Sequence, residues 1–243
     1  MMGRSDAGAL ARRAAYGLMT SLAARSLALA GARLVGHGVV AGPGTELVVE
    51  GFPRSGNSLA VAAIAAAQPR PLRIAHHTHA PANVLRALRL GLPTLVVVRD
   101  PDEAAVELVL AKPFLSLREA LRGYARFHEP LLARREGFVV ATSPEVHTDL
   151  AGVVRRINER FGTRFAEPGE DALRAAGDGI AAYWAGRRGP GLPGVGRTAP
   201  PGDEERVGGG DDRAPLLAEL SSPGLAPLRA RARRCFLALT ERG

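Results

Sequence analysis

Residues 46–67 read ELVVEGFPRSGNSLAVAAIAAA. The apolar run Glu46–Glu50 predicts a short strand, the next residues a tight loop, and Ser58–Ala67 a helix. A strand, a glycine-bearing turn and a helix in that order open a parallel α/β sheet. Within the loop, Gly51 and Gly56 stand five apart and Ser58 opens the helix, which is the outline of a phosphate-binding loop. The usual pattern puts a lysine just before the final serine or threonine. Here that slot holds Asn57, and the nearest cation is Arg54 in the middle of the loop. Backbone N–H groups at a helix N-terminus still make an anion site. The absent lysine argues against ATP-driven chemistry, which needs that charge on the β- and γ-phosphates beside magnesium.

Working outward, three more short apolar runs predict strands: Leu72–Ala75, Thr94–Val98 and Phe138–Ala141. Helical patterns lie between them over Pro81–Leu90, Asp102–Leu110 and Leu115–Arg135, and another follows over Thr148–Phe161. Pro81 and Pro101 suit first-turn positions. The expected fold is therefore α/β, a doubly wound, mostly parallel sheet of four or five strands flanked by helices. Residues 1–44 form a helical N-terminal extension and residues 45–185 the core. Residues 186–243 complete the same domain with a Gly/Pro-rich lid loop over 186–213 and a last helix over Pro215–Glu241, interrupted near Pro223 and Pro227.

The composition narrows the class. Net charge is +8, and of the 32 basic residues only Lys112 is a lysine. A basic balance suits an anionic ligand or an acidic surface. No basic stretch is interleaved with aromatics as nucleic-acid binding would require. Cys235 is the only cysteine, so neither an internal disulfide nor a cysteine metal cluster can form. No run is apolar and long enough to span a membrane. At the N-terminus, Arg12, Arg13, Arg25 and Arg33 interrupt the apolar residues. This reads as an amphipathic helix packed on the domain, with peripheral membrane contact as the other reading, and not as a signal peptide. The expected location is cytoplasmic.

Two further clusters fall just past predicted strands, where ligands sit in open α/β sheets. His76-His77-Thr78-His79-Ala80-Pro81 follows the second strand. His79 is the candidate general base, since imidazole titrates near neutral pH. His77 and His79 share a face of an extended segment, but no further ligand cluster accompanies them for a metal. Arg99-Asp100-Pro101 follows the third strand. Arg99 grips phosphate through its forked guanidinium or pairs with Asp100 or Asp102.

Together these motifs resemble the sulfotransferase family. Pro53-Arg54-Ser55-Gly56-Asn57-Ser58 is similar to its 5′-phosphosulfate loop, P-[KR]-S-G-[TN]-[TS]. Thr78-His79-Ala80-Pro81 is similar to its T-H-x-P, and Arg99-Asp100-Pro101 to its R-[DN]-P. The resemblance covers about residues 46–165. It implies the donor 3′-phosphoadenosine 5′-phosphosulfate, no metal, and a small-molecule or glycan acceptor offering a hydroxyl or amine. It also implies that Arg54, Ser55, Gly56, Asn57 and Ser58 hold the 5′-phosphosulfate, that His79 is the base and that Arg99 holds the 3′-phosphate. Three positions depart from the pattern. The serine that shares the 3′-phosphate, eight residues after Arg99, is Glu107, a carboxylate that would repel the phosphate; the tryptophan near adenine is Leu59, which the resemblance makes a donor contact; and the last motif over the adenosine is absent. Arg187, Arg188 and Arg197 are the replacement phosphate contacts in the lid. The alternatives are a sulfotransferase-like protein that binds an anion or a partner without turnover, and a P-loop kinase or NTPase.

Overall fold

The computed structural model describes residues 4–20, 38–184 and 210–241, with residue 29. After α1 (Arg4–Met19) come β1 (Leu47–Gly51), α2 (Asn57–Ala67), β2 (Ile74–His76) and α3 (Pro81–Arg89). Next come β3 (Thr94–Val98), α4 (Pro101–Ala111), α5 (Leu117–Leu132) and β4 (Val139–Thr142). The remaining helices are α6 (Ser143–Thr148), α7 (Leu150–Phe161), α8 (Glu170–Trp184), α9 (Gly210–Leu220) and α10 (Ala226–Thr240).

The four strands are all parallel, in the order β2-β1-β3-β4. β1 and β3 are buried along their whole length, so their near-continuous Val and Leu runs pack on both faces. Val96, Val98 and Val140 point to one layer, built from α4, α5 and α10. Leu47, Val49, Leu95, Val97, Val139 and Ala141 point to the other, built from α2, α7 and α8. Alternate residues of one strand thus serve opposite layers, and the fold is doubly wound. Tyr16 carries α1 into the first layer.

The strand order places the ligand crevice. The chain leaves β1 toward β2 on one side, then returns to β3 on the other side of β1. The connections after β1 and β3 depart in opposite directions, which opens a crevice above their carboxyl ends. Both sheet edges are guarded. Val39 and His76 exchange antiparallel bonds of 2.7 and 3.0 Å along the outside of β2. On the far side, Arg156 Nη1 donates to the Val140 carbonyl at 3.3 Å.

Several boundaries differ from expectation, each for a local reason. The helix expected over 148–161 begins at Leu150 as α7, and a separate short helix, α6, precedes it. Thr142 and Glu145 form a capping box that starts α6, and Asp149 leaves helical geometry and caps α7 through Gly152 N at 3.0 Å. The final helix is two, α9 and α10, joined by a turn that contains Pro223. α9 begins at Gly210, inside the stretch read as lid to residue 213. The remainder of that stretch, with Arg187, Arg188 and Arg197, lies outside the described residues. α8 was not foreseen. Gly177 and Gly179 weaken its helical signal, and its buried Ala176 and Ile180 pack in the α2 layer.

Candidate functional site

The crevice is built on unusual backbone. Among the described residues, the non-glycine residues with positive φ are Arg54 at 69°, His77 at 58° and His79 at 48°. All three lie in the loops after β1 and β2. Left-handed backbone of this kind costs free energy and persists where the surroundings over-determine it, most often at functional sites. Gly56, at φ 100°, stands at the N-cap of α2 with no side-chain cap. The first-turn N–H groups of α2 lack intrahelical acceptors and carry the positive end of the helix dipole. Gly51 has no room for a side chain: a Cβ there would meet the Val97 carbonyl and Asn57 Oδ1.

The agent that holds the β2 loop is Glu50, the fully buried penultimate residue of β1. Its carboxylate accepts from Thr78 N at 3.0 Å, Thr78 Oγ1 at 2.6 Å, His79 N at 3.1 Å and Asn83 Nδ2 at 2.8 Å. Burial pushes its pKa up, while the nearby His79 and these hydrogen bonds pull it back. Four donors on one carboxylate fix the loop that holds the left-handed residues His77 and His79 over β1.

The histidines then fall into two arrangements. His79 Nδ1 lies 2.8 Å from the Gly51 carbonyl. A carbonyl only accepts, so Nδ1 carries the proton and the neutral ring is basic at Nε2. The residue is 1% exposed. His77 Nε2 lies 2.9 Å from Ser58 Oγ, and His77 Nδ1 lies 2.6 Å from His76 Nδ1. Ser58, His77 and His76 form a hydrogen-bonded chain, and the His77 and His79 rings meet edge to face at 5.8 Å.

Arg54 reaches the other wall. Its Nη2 lies 3.3 Å from Glu107 Oε2, and Arg213 of α9 pairs with Glu107 Oε1. The carboxylate expected to disturb this place is instead gripped by two arginines. Burial works against its ionisation, but hydrogen bonds from Arg213 and Arg54 prevail and hold its pKa below the ordinary carboxylate value. Arg99 donates from Nη1 to the Arg54 carbonyl at 3.1 Å and from Nε to Glu103 at 3.0 Å. Its acidic partner is thus Glu103 and neither Asp100 nor Asp102. Asp100 caps α4 through Asp102 N at 3.0 Å, and Asp102 pairs with Arg229 at 2.5 Å.

The structure therefore gathers Arg54, Ser55, Gly56, Asn57, Ser58, His79 and Arg99 at one crevice. Leu59, expected beside the donor, is partly buried and packs against the apolar cluster of the α2 layer. Sequence reasoning missed Glu50, the His77–Ser58 contact and Arg213. Glu50 had a visible signal, a carboxylate ending an otherwise apolar run. Arg213 had none, because its partner is set only by the docking of α9. Among the described residues, Arg54 Nε, Ser55 Oγ and Asn57 Oδ1 are buried with no hydrogen-bond partner. Also among them, no group of three or more His, Cys, Asp or Glu is placed to hold a metal ion, and no helix is long and apolar enough to cross a membrane.

The fold is that of a doubly wound α/β protein, with the loop from β1 into α2 at its topological switch point. No protein family, no curated protein and no solved structure matches the chain.

Proposed function

We propose that this chain is a sulfotransferase, moving a sulfonate group from an adenosine 5′-phosphosulfate donor to an acceptor hydroxyl or amine. 3′-Phosphoadenosine 5′-phosphosulfate is the form of donor that the sequence resemblance names. One observation carries the reading: a loop at the positive end of α2 keeps Arg54 Nε and Ser55 Oγ buried and unpartnered among the described residues. Buried polar atoms left without partners cost about 1–3 kcal/mol each, and an oxyanion ligand satisfies such donors.

In this mechanism the acceptor oxygen attacks sulfur in line with the bond to the 5′-phosphate oxygen. That S–O bond breaks and the phosphate leaves. His79 Nε2 takes the acceptor proton; its Nδ1 bond to Gly51 fixes the tautomer this requires. The ring is buried, so the acceptor must displace its cover to reach it. Backbone N–H groups at the start of α2 and the Ser58 hydroxyl hold the leaving phosphate, and Arg54 offsets charge developing on the bridging oxygen. The charge is handled by the loop and the helix dipole, so the mechanism calls for no metal. A small molecule or a glycan serves as acceptor.

The Arg54–Glu107 pair favours a second reading, an anion-binding protein without turnover, because it engages the cation the mechanism uses. Titration calorimetry without magnesium is expected to show micromolar binding of adenosine 3′,5′-bisphosphate or adenosine 5′-monophosphate. Binding of neither sinks both readings. With radiolabelled donor and a panel of acceptors, transfer separates the two. His79→Ala is expected to lower turnover by about 100-fold or more. Arg54→Ala should lower turnover by about 100-fold with a smaller loss of nucleotide affinity. Near wild-type rates in His79→Ala would remove that ring from the mechanism.

A further inference from the structure

The anion cradle of the α2 loop has a neighbour of opposite sign. Glu107 stands on α4 with its side chain 16% exposed, beside an Arg54 side chain that is 9% exposed. Its oxygens are divided between two guanidiniums: Oε2 faces Arg54 Nη2 at 3.3 Å and Oε1 faces Arg213 Nη1. Arg99, the other cation at this wall, is tied to Glu103 at 3.0 Å and to the Arg54 carbonyl at 3.1 Å. An arginine cluster that would otherwise attract a second anion is already filled by a carboxylate of the chain itself.

The chemistry of that carboxylate decides what sits next to it. An ionised carboxylate only accepts hydrogen bonds, so it welcomes hydroxyl donors and repels a phosphate. Nucleotide-binding crevices elsewhere use the same distinction: an acidic side chain takes a free ribose hydroxyl, and an arginine takes a ribose phosphate. Here the arginines are present but occupied. A ribose phosphate gains them only by displacing Glu107 from two partners at once.

We infer that Glu107 is a specificity-determining residue, and that the site takes a nucleotide carrying its charge at the 5′ end with free ribose hydroxyls, in preference to one with a second phosphate on the ribose. This rests on reading the α2 loop as the holder of a 5′-phosphosulfate. It assigns the ligand class from Glu107, Arg54 and Arg213, and it makes the donor adenosine 5′-phosphosulfate.

The test is calorimetry on the full chain with adenosine 5′-monophosphate and adenosine 3′,5′-bisphosphate, comparing the wild type with Glu107→Ser and Glu107→Gln. The wild type is expected to bind the monophosphate at least as tightly as the bisphosphate. Both variants should gain about tenfold or more for the bisphosphate with little change for the monophosphate. A wild type that binds the bisphosphate about tenfold tighter than the monophosphate overturns the inference, whether or not the variants fold. So do folded variants whose preference equals that of the wild type. In both cases nucleotide binding persists and the sulfotransferase reading stands. If neither nucleotide binds any of the proteins, that reading fails and the inference fails with it.

Discussion

Glu50 shows how much one side chain can organise. Its four hydrogen bonds hold a loop in which His77 and His79 adopt backbone conformations that L-residues rarely take. Glu50→Ala would strand the buried donors of Thr78, His79 and Asn83. The expected cost is about 2–5 kcal/mol, measured as a fall in the urea midpoint at constant slope. A loss below about 1 kcal/mol would mean that the loop is held by something else. His128 makes a second residue-level prediction. It is fully buried beside Tyr124, Phe127 and Phe52, and burial pushes its pKa down to about 4 from 6.5. The unfolded chain therefore binds a proton that the folded chain refuses, and stability falls as pH drops from about 6.5 toward about 4. The loss approaches about 3 kcal/mol at the acid end. In His128→Phe the slope of stability over that interval should be shallower; an unchanged slope would exclude His128 as its source. At this scale the sequence spacing of Arg54, Ser58 and Arg99 past the strand ends could be read along the chain. Their partners could not, because Glu107 lies 53 positions from Arg54 and only folding brings it near.

At the scale of elements, the strand–helix alternation was readable because each strand is a continuous apolar run bounded by turns. All four predicted strands exist; β3 spans the residues expected, and the other three have ends displaced by one or two residues where caps and pairing partners decide the boundary. α8 escaped because its glycines argue against a helix, and only burial against α2 outweighs them. That α1 packs on the domain was expected, but the place where it docks could not be read. It depends on Gly123 of α5, where a Cβ would overlap the Tyr16 phenol ring and oxygen. Gly123→Ala should lift α1 from α5 or cost about 1–3 kcal/mol through overpacking. Trypsin should then cut after Arg12 or Arg13 faster than in the wild type. Equal digestion rates and an unchanged unfolding midpoint would show that α1 does not depend on this contact.

For the whole molecule, α10 closes the first layer. It is fastened by ion pairs of Arg229 with Asp102 at 2.5 Å, Arg231 with Glu129 at 2.6 Å, and Arg233 with Asp100. Exposed pairs of this kind contribute little individually, so apolar burial carries most of the docking. Cys235 lies beneath the helix, 2% exposed, with burial raising its thiol pKa to about 11 from 9.0. Native thiolate is then about 100-fold scarcer than in the free side chain. Alkylation at pH 8 should be slower by about that factor or more than in guanidinium, and it should accelerate only under conditions that open α10. Equal rates in the two states would contradict the burial of this face. The guarded edges of the sheet bear on behaviour in a crowd. β2 offers only three residues, of which His76 is already bridged by Val39, and β4 has a carbonyl taken by Arg156. Neither border presents a clean row of main-chain groups to a neighbouring copy, so templated growth into fibrils has to begin by tearing one of these bonds.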